Sequence, residues 1–271
     1  MPQFICPVCG QELTKSEKAY RCENGHSFDI AKEGYVNLLM SSGKGKRHGD
    51  DKLMVRARAD FLGKGYYDAF SDAVSDIVLR YAPDDAVILD AGCGECKYTA
   101  DILHKLSMSG KNADIAGVDI SKDAVAIGAK RREKISLAVA SVGSLPFRDG
   151  IADIIVNLFA PFSGAEFSRV LKDGGKVVRA YPLRLHLWEL KQLVYDTPRE
   201  NEETDMAEAG FTIIETRTVR YKIHLAGSDI LSLFRMTPYY YKTGAEDQKK
   251  AENADSLDVT LEFGISIYEK D

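Results

Sequence analysis

The chain has 271 residues, 45% of them hydrophobic, which is enough for one α/β domain and a small accessory module. It contains no apolar run of about 18 residues and no basic amino terminus followed by an apolar stretch, so we expect neither a membrane span nor a signal peptide, and a cytoplasmic protein. Its net charge of −5 differs from the basic balance of a general nucleic-acid binder, so any contact with nucleic acid is expected to be local.

The first predicted element is a zinc module at residues 1–40. The spacing C-x2-C-x12-C-x3-H supplies two pairs of ligands and suits tetrahedral zinc; its members are Cys6, Cys9, Cys22 and His26. Five cysteines in a chain expected to be intracellular favour metal binding or burial over disulfides. Because protein side chains fill all four positions, the zinc is predicted to be structural. Unligated thiols on a loop are the alternative.

Residues 41–66 are predicted to form a basic linker followed by a helix. From Ser41 to Lys64 the chain carries seven basic residues against three acids. The basic residues are Lys44, Lys46, Arg47, Lys52, Arg56, Arg58 and Lys64. This pattern fits contacts with phosphate groups and fits a solvated linker equally well, so both interpretations stay open.

A strand, a tight turn and a helix are predicted at "AVILDAGCGECKYTADIL". Residues 86–89 form a continuous apolar run, as in a strand covered on both faces, and residues 97–106 have a helical pattern. Gly92 and Gly94 allow the backbone between them to turn tightly and to approach a ligand. A dinucleotide site would favour a third glycine where this chain has Lys97, so the pyrophosphate fingerprint is incomplete.

Acidic residues around this turn favour S-adenosyl-L-methionine (SAM), because SAM has no phosphate groups and carries an ammonium group. Asp90 precedes the turn and Glu95 lies within it, and both suit the ammonium. Asp119 lies 25 residues beyond Gly94, at the end of the next predicted strand, where doubly wound folds bind ribose hydroxyls. The alternative for Asp119 is a helix cap formed with Ser121.

The rest of the chain continues the alternation of strands and helices. Strands are predicted at "KISLAVAS", "ADIIVNLFAP" and "GGKVVRAYP", with a helix at residues 165–171. Two more strands, "GFTIIETRTV" and "VTLEFGISIY", enclose an insertion near residues 225–256. We therefore predict an α/β fold in which residues 67–271 form a Rossmann-like methyltransferase domain with seven strands, the last antiparallel. Ser141 and residues 157–161 are expected at its ligand-binding rim.

Motifs along most of the chain resemble those of the RlmA family of 23S rRNA guanine-N1 methyltransferases. They include "CPVC", "RCENGHSFD", "AKEGYVNLL", "RARADFLGKGYYD", "LDAGCGECKYT", "HLWELKQLVY" and "MTPYYYK". The resemblance implies a zinc-ribbon-like module that recognises RNA and a SAM-dependent methyltransferase domain. It further implies methyl transfer to N1 of a guanine in a hairpin loop of 23S rRNA, and a homodimer.

The resemblance also implies particular site residues. It assigns zinc to the four Cys and His residues given above, and cofactor contacts to Tyr67, Gly94, Glu95 and His186. On the sequence alone, His186 also fits a packed histidine near the start of a helix. Cys96 stands where relatives commonly have glycine, and a positive φ there would add strain. The residue that removes the proton from guanine N1 is not identified by the sequence.

Two other functions are kept open, because a methyltransferase fold does not specify the methyl acceptor. One is a methyltransferase for small molecules with an incidental zinc module. The other is a zinc-dependent RNA-binding protein whose methyltransferase domain is inactive. Trp188 and the aromatic residues 239–241 fit packing in the core as well as stacking on bases.

Overall fold

The computed structural model of the protein describes residues 2–40, 49, 51–203 and 205–271. Lys44, Lys46 and Arg47 of the predicted basic segment lie outside the described residues. The described chain forms a small three-stranded sheet and a large eight-stranded sheet with helices on both faces. Within those ranges, no helix is both long enough and apolar enough to cross a membrane.

The small antiparallel sheet contains β1 (Thr14–Lys15), β2 (Ala19–Arg21) and β3 (Ser27–Asp29). The large sheet contains β4 (Val36–Asn37), β5 (Ala86–Ala91), β6 (Ala113–Asp119), β7 (Ile135–Val139), β8 (Ala152–Leu158), β9 (Leu171–Pro182), β10 (Phe211–Ala226) and β11 (Ser256–Lys270). Its order is β10-β11-β9-β8-β5-β6-β7-β4. β11 runs antiparallel to both β9 and β10, which confirms the predicted orientation of the last strand.

The helices are α1 (Lys52–Leu62), α2 (Asp68–Tyr81), α3 (Lys97–Met108), α4 (Lys122–Ala129), α5 (Gly164–Val170), α6 (Trp188–Val194), α7 (Ser228–Arg235) and α8 (Ala245–Glu252). Helices α7 and α8 connect β10 to β11, together with a short 3-10 helix at Tyr240–Lys242.

The central strands are apolar on both faces because the sheet is covered on both sides. Neighbouring residues of one strand point to opposite faces, and here they enter different hydrophobic clusters. The pairs are Ile88 and Leu89, Ile154 and Ile155, and Val178 and Val177. The continuous apolar runs seen in the sequence are therefore explained by burial on both faces.

All seven strands predicted from the sequence are present, and β4 is an eighth that was not predicted. Val36 of β4 pairs with Ala138 of β7 in a parallel arrangement, and the Leu38 N–H donates to the Val139 carbonyl at 2.9 Å. A strand of two residues shows no periodic pattern, so only its pairing with a distant strand identifies it. The sheet is thus extended by the zinc module.

The zinc module also shares its hydrophobic core with the large sheet. Phe4 and Leu13 are buried, and the Phe4 ring lies 5.3 Å from the ring of Phe147. The Ile5 N–H donates a hydrogen bond of 2.9 Å to the Pro146 carbonyl. A segment of this size buries too little apolar surface to fold alone, so we expect the module to depend on both its metal site and this contact.

Candidate active site and candidate metal centre

The four predicted zinc ligands lie together in the structure. Their ligand atoms are all within 4.8 Å of one another. The His26 Nδ1 lies 3.5 Å from Cys6 Sγ and 3.3 Å from Cys22 Sγ, and the sulfur atoms of Cys9 and Cys22 are 3.7 Å apart. Tetrahedral zinc with bonds of about 2.3 Å to sulfur and about 2.0 Å to nitrogen separates its ligand atoms by roughly 3.5–3.8 Å. The cluster therefore fits a zinc ion.

The local backbone favours the metal-binding thiolate form of Cys9, whereas burial raises the pKa of Cys6. The backbone N–H of Gln11 is the main cause of a lowered Cys9 pKa, which is about 6. The turns that carry the two ligand pairs close at glycines with positive φ, Gly10 at +72° and Gly25 at +83°. Their N–H groups donate to the carbonyls of Cys6 and Cys22 at 2.8 and 3.0 Å. Each ligand pair is thus held by its own tight turn.

A cavity of about 520 Å³ lies at the carboxyl ends of β5, β6 and β8, and we call it the cofactor cavity. It is lined by all seven residues predicted for cofactor binding: Tyr67, Asp90, Gly92, Gly94, Glu95, Asp119 and His186. Ser141 is not among its lining residues, and its hydroxyl instead accepts a hydrogen bond from the Gly143 N–H at 3.2 Å. Asn157 is fully buried behind the wall, where its amide donates to the carbonyls of Ala91 and Pro161.

The turn after β5 has positive φ at three positions, namely +100° at Gly92, +53° at Gly94 and +62° at Cys96. The strain anticipated at Cys96 is therefore present. Its side chain is buried against Gly128 of α4, where an added Cβ would lie only 2.5 Å from the Cys96 sulfur. The absence of a side chain at Gly128 makes room for cysteine in the turn.

Two buried carboxyl groups face the cofactor cavity with unsatisfied oxygen atoms. Asp90 is 3% exposed; its Oδ2 accepts a hydrogen bond from the Thr99 hydroxyl, whereas Oδ1 has no hydrogen-bond partner in the described structure. Burial raises the Asp90 pKa to about 7, and the nearby charge of Asp119 adds to the effect. Glu95 is also buried, and burial raises its pKa; its Oε1 accepts no hydrogen bond but lies 3.9 Å from the Arg131 guanidinium. Such oxygens fit a bound cation, for example an ammonium group.

Asp119 stabilises the glycine turn through hydrogen bonds and is not the residue that caps α4. Its carboxylate accepts hydrogen bonds from the Gly94 N–H at 2.9 Å and from the Ser121 N–H at 2.7 Å. The cap of α4 is Ser121, whose hydroxyl accepts from the Ala124 N–H. Asp119 itself lines the cavity. Binding of a ribose by Asp119 stays a prediction.

His186 is buried and neutral. Burial, together with the nearby charge of Lys191, lowers its pKa to about 3. The His186 Nδ1 accepts a hydrogen bond from the Glu262 N–H at 3.2 Å, so the ring proton lies on Nε2. His186 therefore presents a hydrogen-bond donor to the cavity and is not suited to take up a proton. Its ring also packs on Phe263 at 4.5 Å.

Two further residues at this site, Arg58 and Arg131, were not identified from the sequence as residues of the cofactor site, whereas Phe159 belongs to the segment 157–161 that was expected at the rim. Arg58 of α1, considered above for phosphate contacts, lines the cofactor cavity. Phe159 lies at the end of β8 with φ +56° and remains 45% exposed beside Phe70. The Arg131 guanidinium donates to the Glu95 carbonyl at 2.8 Å. No sequence pattern signals these contacts, because each joins segments that are distant in the chain.

Trp188 and the aromatic residues 239–241, which fit either core packing or base stacking on sequence alone, have different environments. Trp188 is half-buried at the start of α6, and Tyr240 packs on Phe234 with the ring centres 5.3 Å apart. Tyr239 lines the cofactor cavity, whereas Tyr241 is 51% exposed. Packing thus accounts for Tyr240.

The two glycines of the turn are expected to respond differently to substitution by alanine. A Cβ at Gly92 would lie 2.4 Å from the Ala160 Cβ, so Gly92→Ala should destabilise the protein by about 2–5 kcal/mol. A Cβ at Gly94 meets no atom within 4 Å, so Gly94→Ala should cost only about 1–2 kcal/mol but weaken SAM binding by intruding on the cavity. Urea unfolding and calorimetric titration test this contrast, and equal destabilisation by both variants would contradict it.

Comparison with known proteins gives matches in both parts of the chain. A family described as "RlmA, N-terminal" matches residues 4–46, and a family described as "Methyltransferase domain" matches residues 88–178. A provisionally named 23S rRNA (guanine-N1)-methyltransferase of Micromonospora griseorubida is 34% identical over 90% of this chain and 88% of its own length. A Bacillus subtilis protein with the same provisional name is 31% identical over 97% of this chain and 96% of its own length. The 23S rRNA (guanine(748)-N(1))-methyltransferase of Streptomyces fradiae is 37% identical over 68% of this chain and 65% of its own length.

Proposed function

The chain belongs to the 23S rRNA (guanine-N1)-methyltransferase family, and on this basis we propose that it transfers a methyl group from SAM to N1 of a guanine in a hairpin loop of 23S rRNA. The observation that carries this proposal is the sequence identity of 31% and 34% to relatives of that name over nine-tenths or more of the chain. A methyltransferase for small molecules would not explain a match that includes the zinc module. Zinc is the structural metal and SAM is the methyl donor.

The cofactor cavity supplies groups suited to SAM. The Asp90 Oδ1 and Glu95 Oε1, which accept no hydrogen bond, would hold the ammonium group, and Asp119 would accept from the ribose hydroxyls. Tyr67 and His186 would complete the cofactor contacts, with His186 acting as a donor through Nε2. When bound, SAM supplies an electrophilic methyl group on a sulfonium. The chain's part in the reaction is to align that methyl with guanine N1.

The target guanine must lose its N1 proton and must be unpaired to enter the cavity. His186 does not serve as the base, since its Nδ1 is occupied and its ring pKa is about 3. Phe159 and Pro161 line the open side of the cavity and offer surfaces for an extruded base. Stacking of a nucleic-acid base on an aromatic side chain contributes about 1–3 kcal/mol.

Replacing Phe159 by alanine is therefore expected to lower kcat/KM for RNA by roughly 10–100-fold, while Phe159→Tyr retains most of the activity. SAM affinity should change little in either variant. Single-turnover methylation and calorimetric titration with SAM measure the two effects. Since Phe159 also packs on Phe70, thermal unfolding must confirm that both variants are folded. An active Phe159→Ala enzyme would exclude stacking on this ring.

We further propose a homodimer that acts in the cytoplasm, where ribosomes are assembled. The family resemblance suggests the dimer, and the long edge strand β10 offers an apolar surface at Ile213 and Ile214, each more than 40% exposed. Light scattering coupled to size-exclusion chromatography measures the assembly state. A monomer at all accessible concentrations would exclude the dimer.

The function itself is tested by incubating the enzyme and SAM with 23S rRNA from cells that lack the enzyme. Methylation at N1 blocks base pairing, so reverse transcription should stop at the modified guanine and reveal its position. A reaction without the enzyme serves as the control for background methylation. RNA that acquires no methyl group despite tight binding would favour the inactive RNA-binding alternative.

A further inference from the structure

A second cavity of about 580 Å³ lies between the zinc module and the region of α4 and β7. Lys15, Tyr20 and residues 32–34 form the wall on the side of the zinc module. Residues 128–130, 132–133 and 135–137 form the opposite wall. This cavity, which we call the basic groove, shares no lining residue with the cofactor cavity.

The basic groove concentrates positive charge in an acidic protein. Its lining includes four basic side chains, Lys15, Lys32, Lys130 and Arg132, and only two acidic ones, Glu33 and Glu133. Both acids have partners: Glu33 lies 3.8 Å from Lys32, and Glu133 lies 3.1 Å from His104.

The other three cations of the groove are available for a ligand. Lys15, Lys130 and Arg132 are exposed, and none of them forms an ion pair within the part of the chain that the structure describes. The Lys15 ammonium lies 5.8 Å above the ring of Tyr20, which orients it along the wall of the zinc module. Cations on two facing walls suit a polyanion that passes between them.

The loop that supplies Lys130 and Arg132 also contacts the glycine turn after β5. Arg131 lies between Lys130 and Arg132, and it points the opposite way, donating to the Glu95 carbonyl at 2.8 Å. Gly128 lines the groove and also packs directly on Cys96. One wall of the groove is thus formed by residues that also pack against the glycine turn after β5. A polyanion in the groove would lie close to the active site without entering it.

We propose that the basic groove binds backbone phosphates of the RNA substrate, with the zinc module and the methyltransferase domain each supplying one wall. The inference rests on the proposed function and extends it, because it assigns RNA contacts to Lys15, Lys130 and Arg132. Lysine contributes point charges to phosphates, and arginine contributes a bidentate fork. Zinc then matters for RNA binding because it holds one wall of the groove in place.

The test uses the full-length protein with the triple substitution Lys15→Gln, Lys130→Gln and Arg132→Gln. Its matched control is Lys18→Gln, Lys122→Gln and Lys134→Gln, which removes the same charge from exposed neighbours on the same segments outside the groove lining. The probe is 23S rRNA from cells that lack the enzyme. Zinc content, SAM affinity and thermal unfolding report whether each variant is intact.

The groove variant is expected to bind the RNA at least tenfold more weakly at moderate salt. Its slope of log affinity against log salt should be shallower by about two to three, as expected for three lost phosphate contacts. The control should bind within about twofold of the wild type. Both variants should keep wild-type SAM affinity and zinc content.

Wild-type RNA affinity in the groove variant would overturn the inference and leave the proposed function standing. An equal loss of affinity in the control would also overturn it, because general surface charge would then account for binding. If the wild-type protein neither binds nor methylates the RNA, the proposed function fails and the inference fails with it.

Discussion

Replacing Asp90 by asparagine is expected to weaken SAM binding by about 10–100-fold at pH 8 and, at the same pH, to stabilise the cofactor-free protein. The loss of affinity follows from removal of a charged hydrogen-bond acceptor for the ammonium group, which contributes about 1.5–3 kcal/mol. The gain in stability follows from removal of a buried charge that has no counter-ion while the cavity is empty.

The sign of the stability change follows from the pKa of Asp90. The folded protein holds this proton more tightly than the unfolded chain, since the pKa is about 7 rather than 3.8. The contribution of Asp90 to stability is therefore present at low pH and is lost as the pH rises to about 7. At pH 8 the ionised carboxyl costs up to about 4 kcal/mol, which the asparagine variant avoids. Thermal unfolding at pH 5 and pH 8 measures this difference.

SAM binding by the wild type should depend on pH for the same reason. A cation binds the ionised form of Asp90, so SAM affinity should fall by up to about tenfold for each pH unit below 7. The Asp90→Asn variant should lose the part of this dependence that is centred near pH 7, whereas Asp84→Asn, at an exposed position just before β5, should behave as the wild type. If Asp90→Asn keeps the pH profile of the wild type, another group binds the ammonium.

Loss of zinc is the second change with a large expected effect. Cys9→Ser removes one ligand from the cluster, and structural zinc contributes on the order of 10–16 kcal/mol to small zinc-binding peptides. We expect the zinc module to unfold, RNA affinity to fall by at least tenfold, and the melting temperature of the remaining domain to drop. The last effect follows because Phe4 packs on Phe147 and β4 pairs with β7.

SAM affinity should change much less than RNA affinity in Cys9→Ser, since no residue of the zinc module lines the cofactor cavity. Zinc analysis, hydrogen exchange over residues 2–40 and titrations with SAM and RNA measure these effects. Glu23→Gln, next to a ligand but outside the cluster, is the control. Equal losses of SAM and RNA affinity would show that the module supports the whole catalytic fold.

Features that depend on neighbours in the chain were predictable from the sequence. Zinc ligation and the glycine turn need particular residue types at short spacings, so Cys6, Cys9, Gly92 and Gly94 could be identified directly. The strand order of a doubly wound fold then brings Asp119 beside Asp90, because both end adjacent parallel strands. Ser141 follows the carboxyl end of β7, as expected for the rim, but it does not line the cofactor cavity, since a strand end predicts the rim but not which side chains face the cavity.

The sequence by itself determined the zinc cluster, the seven predicted strands and the acidic glycine turn, because each is encoded by local spacing or periodicity. Only the tertiary structure decided that β4 joins the large sheet, that Arg58 faces the cofactor cavity and that His186 is a neutral donor. It also created the basic groove from segments about a hundred residues apart. The physical reason is that burial, protonation and the direction of a surface side chain depend on what packs against it, and those neighbours come from elsewhere in the chain.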